Sequence, residues 1–258
     1  MKTIILCGGQ GTRLREETEF RPKPLVEVGG YPILWHIMKL YAHHGYRDFV
    51  LCLGYRGNMI KEYFLNYQAM SNDFTIRLGP QSQITYHDAH QEQDFRITLA
   101  DTGLATMTGG RVKRVEKYID DDIVMVTYGD GVTDLDLGSL VRFHQSHNRL
   151  ATVTTVRPLS RFGILNMDDS GAVVKFAEKP QSESWISAGF FVFDRRVFDY
   201  LGGDDCVLEQ EPLAMLAREG ELMGYRHTGF FYAMDTYREF TFLNEMWGSG
   251  DAPWKVWD

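Results

Sequence analysis

The sequence predicts an α/β fold: a three-layer sandwich around a mixed, mainly parallel central sheet, with small antiparallel β additions. Three observations lead to that expectation. Apolar runs alternate with amphipathic stretches of helical period through the opening half, the rhythm of parallel strands joined by helices. The runs at Thr3–Cys7, 49–53 and Ile123–Tyr128 are apolar almost throughout, as strands buried on both faces tend to be. Each then stops at a glycine, Gly8, Gly54 or Gly129, and the carboxyl ends of such strands are where open α/β sheets bind ligands.

Taken in order, Thr3–Cys7 is the first buried strand, and Gly8, Gly9 and Gly11 let bare backbone approach a ligand. Residues 32–41 read as a helix: Pro32 opens it, Ile33, Leu34, Ile37, Met38, Leu40 and Tyr41 form an apolar stripe, and Gly45 stops it. After the strand at 49–53, Asn58 is placed to cap a helix over 58–67. Residues 73–100 break the rhythm with three short alternating runs, 74–78, 84–87 and 95–99, read as an antiparallel excursion. The small, polar stretch 101–111 is either a plain connector or a ligand-contacting loop, and a helix over 112–118 follows.

Ile123–Tyr128 delivers Gly129-Asp130-Gly131. Asp136 caps the next helix, Ala151–Val156 is a strand, and two runs around the turn 168–171 form a hairpin. Glu178-Lys179-Pro180 leads into a strand at 185–193. A helix at 212–218 precedes strands at 222–227 and 230–233, and the latter brings Asp235 to a helix start marked by the capping box of Thr236 and Glu239. Trp254 and Trp257, in a tail too short for a domain, pack onto the body or a neighbouring subunit.

Composition narrows the function. With 258 residues, 44% hydrophobic and 24% charged, the chain can bury one sizeable core and reads as a single domain. A formal charge of −8 and the lack of any Lys/Arg block exclude a general nucleic-acid binder. Three cysteines, Cys7, Cys52 and Cys206, form neither an even framework nor a C-x-x-C pair, so a reducing, cytoplasmic location is expected. No run approaches the roughly 18 apolar residues of a spanning helix, and the opening apolar run is too short for a signal-peptide core, so no membrane partner is expected.

Gly8 to Leu14, with Pro22-Lys23-Pro24, suits a polyphosphate. Successive amides of a glycine loop can nest an anion, and Arg13 and Lys23 supply formal charge. The run lacks the Gly-Lys-Ser/Thr of a Walker A loop and the G-x-G-x-x-G of a dinucleotide fold, leaving a simple glycine turn as the alternative. Asp130, between two glycines, is a metal-ligand candidate or a turn aspartate satisfying nearby amides. Asp235 is a second ligand or a charge favouring its helix start. With Lys179 on a later turn, these residues suggest Mg²⁺, a hard cation that completes its octahedron with substrate phosphates. The chemistry implied is transfer at phosphorus, which needs alignment and charge neutralisation more than a protein nucleophile.

The run Gly8-Gly9-Gln10-Gly11-Thr12-Arg13-Leu14 with Pro22-Lys23-Pro24 resembles the signature of the sugar-phosphate nucleotidylyltransferases, and the resemblance covers nearly the whole chain. Asp101-Thr102-Gly103, Met107-Thr108-Gly109-Gly110-Arg111, Tyr128-Gly129-Asp130-Gly131, Arg161-Phe162-Gly163 and Met234-Asp235-Thr236 are similar to the branch that joins CTP to glucose 1-phosphate. The resemblance implies a Rossmann-like fold, with a nucleotide-binding part at about 1–150, a sugar-phosphate part at about 151–240, and a C-terminal helix and tail at 236–258. It implies CDP-glucose and pyrophosphate as products, Arg13, Lys23 and Lys179 as catalytic residues, and Asp130 and Asp235 as holders of Mg²⁺. Leu6, Gly8, Gly9, Gln10, Gly11, Thr12 and Gly129 would contact the nucleotide. Thr106, Gly110 and Arg111 would lie at a site shared between subunits of a homohexamer, and Gly163, Glu178, Lys179 and Ser187 would hold the sugar phosphate.

Departures concentrate on the sugar side. Ser187-Ala188-Gly189 stands where the family commonly has Asn-Gly-Gly, Tyr232-Ala233 where it has Gln-Pro, and Leu159-Ser160 where it has Pro-Gly. A site built on hydrogen bonds to hydroxyls discriminates strongly, so these changes bear on which phosphorylated acceptor is taken. A nucleotide-binding protein that had abandoned turnover would be free to lose one of Arg13, Lys23, Asp130, Lys179 and Asp235, and all five are present.

Overall fold

Seven strands form the central sheet of the computed structural model, which describes residues 1–80, 82–87, 92, 94–158, 162–178, 181–182 and 184–257. They are β1 (Thr3–Cys7), β2 (Asp48–Leu53), β3 (Arg96–Asp101), β4 (Ile123–Tyr128), β5 (Ala151–Val156), β6 (Ile186–Asp194) and β7 (Leu222–Arg226). Their lateral order is β7-β5-β6-β4-β1-β2-β3. Only β6 runs against its neighbours β4 and β5; the other pairs are parallel, so the sheet is mixed and mainly parallel as expected.

The period-2 alternation of side chains splits the core into two layers. Ile5, Phe49, Leu51, Met125, Phe190 and Val192 face one side, covered by α1 (Ile33–His43), α2 (Gly57–Leu65), α4 (Leu137–His147) and α6 (Tyr237–Ser249). Ile4, Val50, Cys52, Val124, Val126 and Phe193 face the other, covered by α3 (Thr108–Arg114) and α5 (Glu211–Arg218). Trp254, 1% exposed, and Trp257 join the first layer beside His36 and Trp247, which settles the tail onto the body of its own chain.

Three elements differ from the sequence expectation. Residues 95–99 do not belong to the antiparallel excursion. They form most of β3, which adds to the sheet edge in parallel with β2, while the hairpin is only Phe74–Arg77 with Gln83–Tyr86. The helix after β2 starts at Gly57 behind Arg56 in the left-handed region at φ 49°, so Asn58 lies inside it and does not cap it. Most informative is α3, which begins at Thr108 and carries Gly109 and Gly110 in its first turn, where propensity argued for a loop. A Cβ at Gly110 would lie 2.6 Å from the Gly203 carbonyl oxygen, and one at Gly109 2.5 Å from Cys206 Sγ. The glycines are there so that the helix can press against the segment at 203–206.

Candidate active site

The sheet register builds the site. Leu6 is paired with Cys52 on one side and Tyr128 on the other, so β1, β2 and β4 end level and release Gly8, Gly54 and Gly129 at one edge. Gly129 N donates to Leu6 O at 3.1 Å and Tyr55 N to Gly8 O at 3.1 Å, tying the three turns together. Above them opens a cleft of about 380 Å³, lined by the glycine loop, Arg13, Lys23, Thr106, Thr108, Arg111, Tyr128 and Asp130 among others. A second cavity of about 450 Å³, lined largely by aromatic and aliphatic side chains, lies between α1, α2 and β3 and contains none of the expected site residues.

Lys23 is the centre of charge. Pro22 and Pro24 flank it in a short 3₁₀ turn that buries its stem, and its Nζ lies 2.6 Å from Asp130 Oδ2 and 2.8 Å from Asp235 Oδ1. Burial opposes the ammonium charge, but Asp130 and then Asp235 outweigh it and hold the Lys23 pKa above its ordinary value. Arg13 reaches the same cluster, its Nη1 3.0 Å from Asp235 Oδ2. Asp235 is delivered by the strand Phe231–Ala233, which pairs with Gly131–Thr133 directly after Asp130; Met234 N donates to Asp130 O at 2.9 Å. The two carboxylates thus converge on one cation-sized point.

That convergence is the test of a metal site. Two hard oxygen donors share a single cation, and among the described residues no group of three or more His, Cys, Asp and Glu is placed to hold a metal ion. Such a site leaves the remaining coordination positions to oxygens from outside the chain, which is the habit of Mg²⁺ with phosphates. Asp130 and Asp235 fit that group.

Arg111 lines the cleft and also has a structural task within its own chain. It is 5% exposed, and its Nη1 donates to Leu53 O, Thr102 Oγ1 and Gly103 O at 2.8–3.0 Å, its Nη2 to Gly8 O at 3.1 Å and Leu104 O at 3.3 Å. Within its own chain it braces the carbonyls of three loops and carries positive charge under the glycine turn. Cys7 also lines the cleft, but burial raises its thiol pKa well above the ordinary value, which removes it as a nucleophile.

Leu6, Gly8, Gly9, Gly11, Thr12, Arg13, Lys23, Thr106, Arg111, Gly129 and Asp130 share this cleft, with Asp235 joined to it through Lys23. Gln10 is exposed on the same loop, whereas Gly110 faces the 203–206 segment. Gly163 and Glu178 sit together on the hairpin Ile164–Met167 with Val173–Ala177, since a Cβ at Gly163 would lie 3.0 Å from Glu178 Oε2. Ser187 is exposed at the start of β6, its Oγ accepting from Gly189 N at 3.2 Å. Lys179 lies outside the described residues. The sequence gives no role to Tyr128, Thr108 or Glu209, whose connections span 81 and 101 positions and leave no local pattern.

A fold and a cleft of this kind belong to enzymes that handle nucleoside polyphosphates. The chain matches the family described as Nucleotidyl transferase over residues 2–217 and belongs to that family. Over the full length of both chains it is 47% identical to glucose-1-phosphate cytidylyltransferase of Salmonella typhi. It is 28% identical to UTP–glucose-1-phosphate uridylyltransferase of Synechocystis sp., over 79% of this chain and 54% of that protein. HddC from Yersinia pseudotuberculosis has the same fold, with a TM-score of 0.67 at 20% identity over 95% of this chain and 99% of that one.

Proposed function

We propose that this chain is a cytidylyltransferase that joins CTP to α-D-glucose 1-phosphate, giving CDP-glucose and pyrophosphate. The observation behind the chemistry is the cluster of Lys23 between Asp130 and Asp235 at the mouth of the glycine loop. The choice of CTP and glucose 1-phosphate is supported by the full-length similarity to an enzyme of that name.

In this reading a phosphate oxygen of the sugar phosphate attacks the α-phosphorus of CTP, a new O–P bond forms, and the bond from the α-phosphorus to the bridging oxygen breaks, releasing pyrophosphate. The amides from Gly8 to Thr12 and the Arg13 guanidinium hold the departing phosphates. Lys23 neutralises charge growing on the α-phosphate, an electrostatic role that a preorganised, partly buried ammonium performs well. Asp130 and Asp235 hold Mg²⁺, which when bound supplies neutralising charge to the triphosphate. Arg111 keeps the glycine turn in shape from beneath. Glu178, Lys179 and Ser187 are assigned to the acceptor, and the domain is divided accordingly at about residue 150.

Purified protein with Mg²⁺ and glucose 1-phosphate is expected to release pyrophosphate with CTP and not with UTP, dTTP, ATP or GTP, and to stop when EDTA is added. Equal release with UTP would refute the base choice; turnover only with another sugar phosphate would refute the acceptor and point to Ser187-Ala188.

A further inference from the structure

Tyr128 stands between the two halves of the site, and the phosphate chemistry makes no use of it. It ends β4 immediately before Gly129 and Asp130 and lines the cleft beside Thr108. Its ring also lies against Gly189 of β6, at φ 77°, where any side chain on residue 189 would run into the ring. Gly189 is two residues from Ser187, so the ring borders the glycine-loop half on one side and the β6 half on the other. The edge of Phe191, 6.2 Å between centroids, supports it from the core.

The ring is held in place by its hydroxyl, which donates to Glu209 Oε1. The other oxygen of Glu209 accepts from Thr108 Oγ1 at 2.6 Å, and Thr108 Oγ1 accepts from Leu208 N at 2.9 Å. Glu209 rides on a segment fastened to α3: Met107 N donates to Asp204 O at 2.7 Å, Gly110 N to Cys206 O at 3.1 Å, and Arg114 makes two bonds to Asp204 at 2.7 and 2.6 Å. One carboxylate therefore pins an aromatic ring on the cleft floor to a rigid wall.

An aromatic ring backed by a carboxylate does not suit a phosphate. Beside the loop amides and cations, and next to Leu6, Pro24 and Met107, the ring adds a flat apolar face that the C–H face of a sugar can cover. In-line displacement then decides which sugar. In the proposed reaction pyrophosphate leaves toward Arg13 and the glycine loop, so the attacking group comes from the opposite side of the α-phosphorus, and Tyr128 with the β6 residue it touches, Gly189, is assigned to that side.

We propose that Tyr128 is an acceptor-binding residue whose ring is the platform for the pyranose of the incoming sugar phosphate, and that Glu209 is a positioning residue that fixes the ring against Gly189. This deepens the cytidylyl-transfer reading and rests on it.

The test compares wild-type protein with Tyr128→Ala, Tyr128→Phe, Glu209→Ala and Glu209→Gln. Steady-state pyrophosphate release is measured against glucose 1-phosphate at saturating CTP, and CTP binding is measured separately by calorimetry. Tyr128→Ala is expected to raise the acceptor KM about tenfold or more, the scale of losing one apolar pocket contact, with the CTP Kd within about twofold of wild type. Tyr128→Phe keeps the ring but loses its bond to Glu209, so its acceptor KM is expected to rise severalfold, as for Glu209→Ala and less than for Tyr128→Ala. Glu209 is exposed, so Glu209→Ala gives the same test should Tyr128→Ala fail to fold: acceptor KM rises severalfold, and Glu209→Gln, whose amide oxygen accepts from one hydroxyl while its NH2 donates to the oxygen of the other, restores part of it. An unchanged acceptor KM in the alanine variants, or an equal rise in CTP Kd, overturns the assignment. A wild-type protein that binds CTP yet releases no pyrophosphate overturns the reaction itself, and with it the acceptor that Tyr128 would hold.

Discussion

His36 shows how strongly a single buried side chain can be constrained. It is 1% exposed; its Nε2 donates to Val28 O at 2.8 Å, and its Nδ1 accepts from Trp254 Nε1 at 3.3 Å. One ring can do both only when neutral. Burial, only partly offset by the backbone hydrogen bonds, lowers its pKa to about 4, and burial likewise lowers that of His144 to about 4. Both values are below the unfolded value near 6.5, so between these limits the unfolded chain binds more protons. The neutral histidines' stability is complete above about pH 6.5 and is lost as pH falls through 4, by about 3 kcal/mol for His36 once protonation is complete. Urea unfolding at pH 7, 6, 5 and 4 should show that fall, and His36→Gln should flatten part of it; a variant curve parallel to wild type would assign the loss elsewhere. The residues of the candidate site divide by the same logic of visibility. Arg13, Lys23, Asp130 and Asp235 could be read from sequence because charge beside glycine, or at a strand end, is a local pattern. Arg111 could not be given its bracing role, because its contact with Gly8 joins positions 103 apart.

At the level of elements, the buried strands were legible and the helix start at Thr108 was not. Runs such as Ile123–Tyr128 carry enough apolar side chains to fix their own state, whereas Gly109 and Gly110 are helical only because another segment needs the space. Propensity therefore predicts the wrong sign for a substitution here. Alanine is intrinsically better than glycine in a helix by about 1 kcal/mol, yet Gly110→Ala would place a methyl 2.6 Å from the Gly203 carbonyl oxygen and 3.0 Å from Asp204 Cα, both backbone. Overpacking of this kind costs about 1–3 kcal/mol, so Gly110→Ala should lower the urea midpoint. A midpoint equal to or above that of wild type would mean that the 203–206 segment yields freely. The edge strand β3 was misplaced for a related reason. Its alternating pattern suits a half-exposed strand, and a sheet edge beside a parallel neighbour exposes it just as a hairpin would.

On the scale of the whole molecule, the level ends of β1, β2 and β4 gather charges from distant parts of the chain into one cleft, so ligand binding should be felt as global stability. Asp130 follows β4, Asp235 follows the strand that pairs beside it, and Lys23 and Arg13 come from the first loop; a ligand that neutralises this cluster crosslinks all of them. A ligand at about a hundredfold excess over its Kd adds about 2.7 kcal/mol to the native state, which for a chain of this size raises Tm by about 5–10 °C. CTP with Mg²⁺ should produce such a shift, and CTP with EDTA a much smaller one, because Asp130 and Asp235 then meet the triphosphate as uncompensated negative charge once Lys23 turns to the phosphates. Asp130→Asn should fold, since Lys23 keeps Asp235 at 2.8 Å and the buried strands are untouched, but should lose the Mg²⁺-dependent part of the shift. A variant that retains the full shift would remove Asp130 from the metal site and leave Lys23 as the principal cation facing the triphosphate.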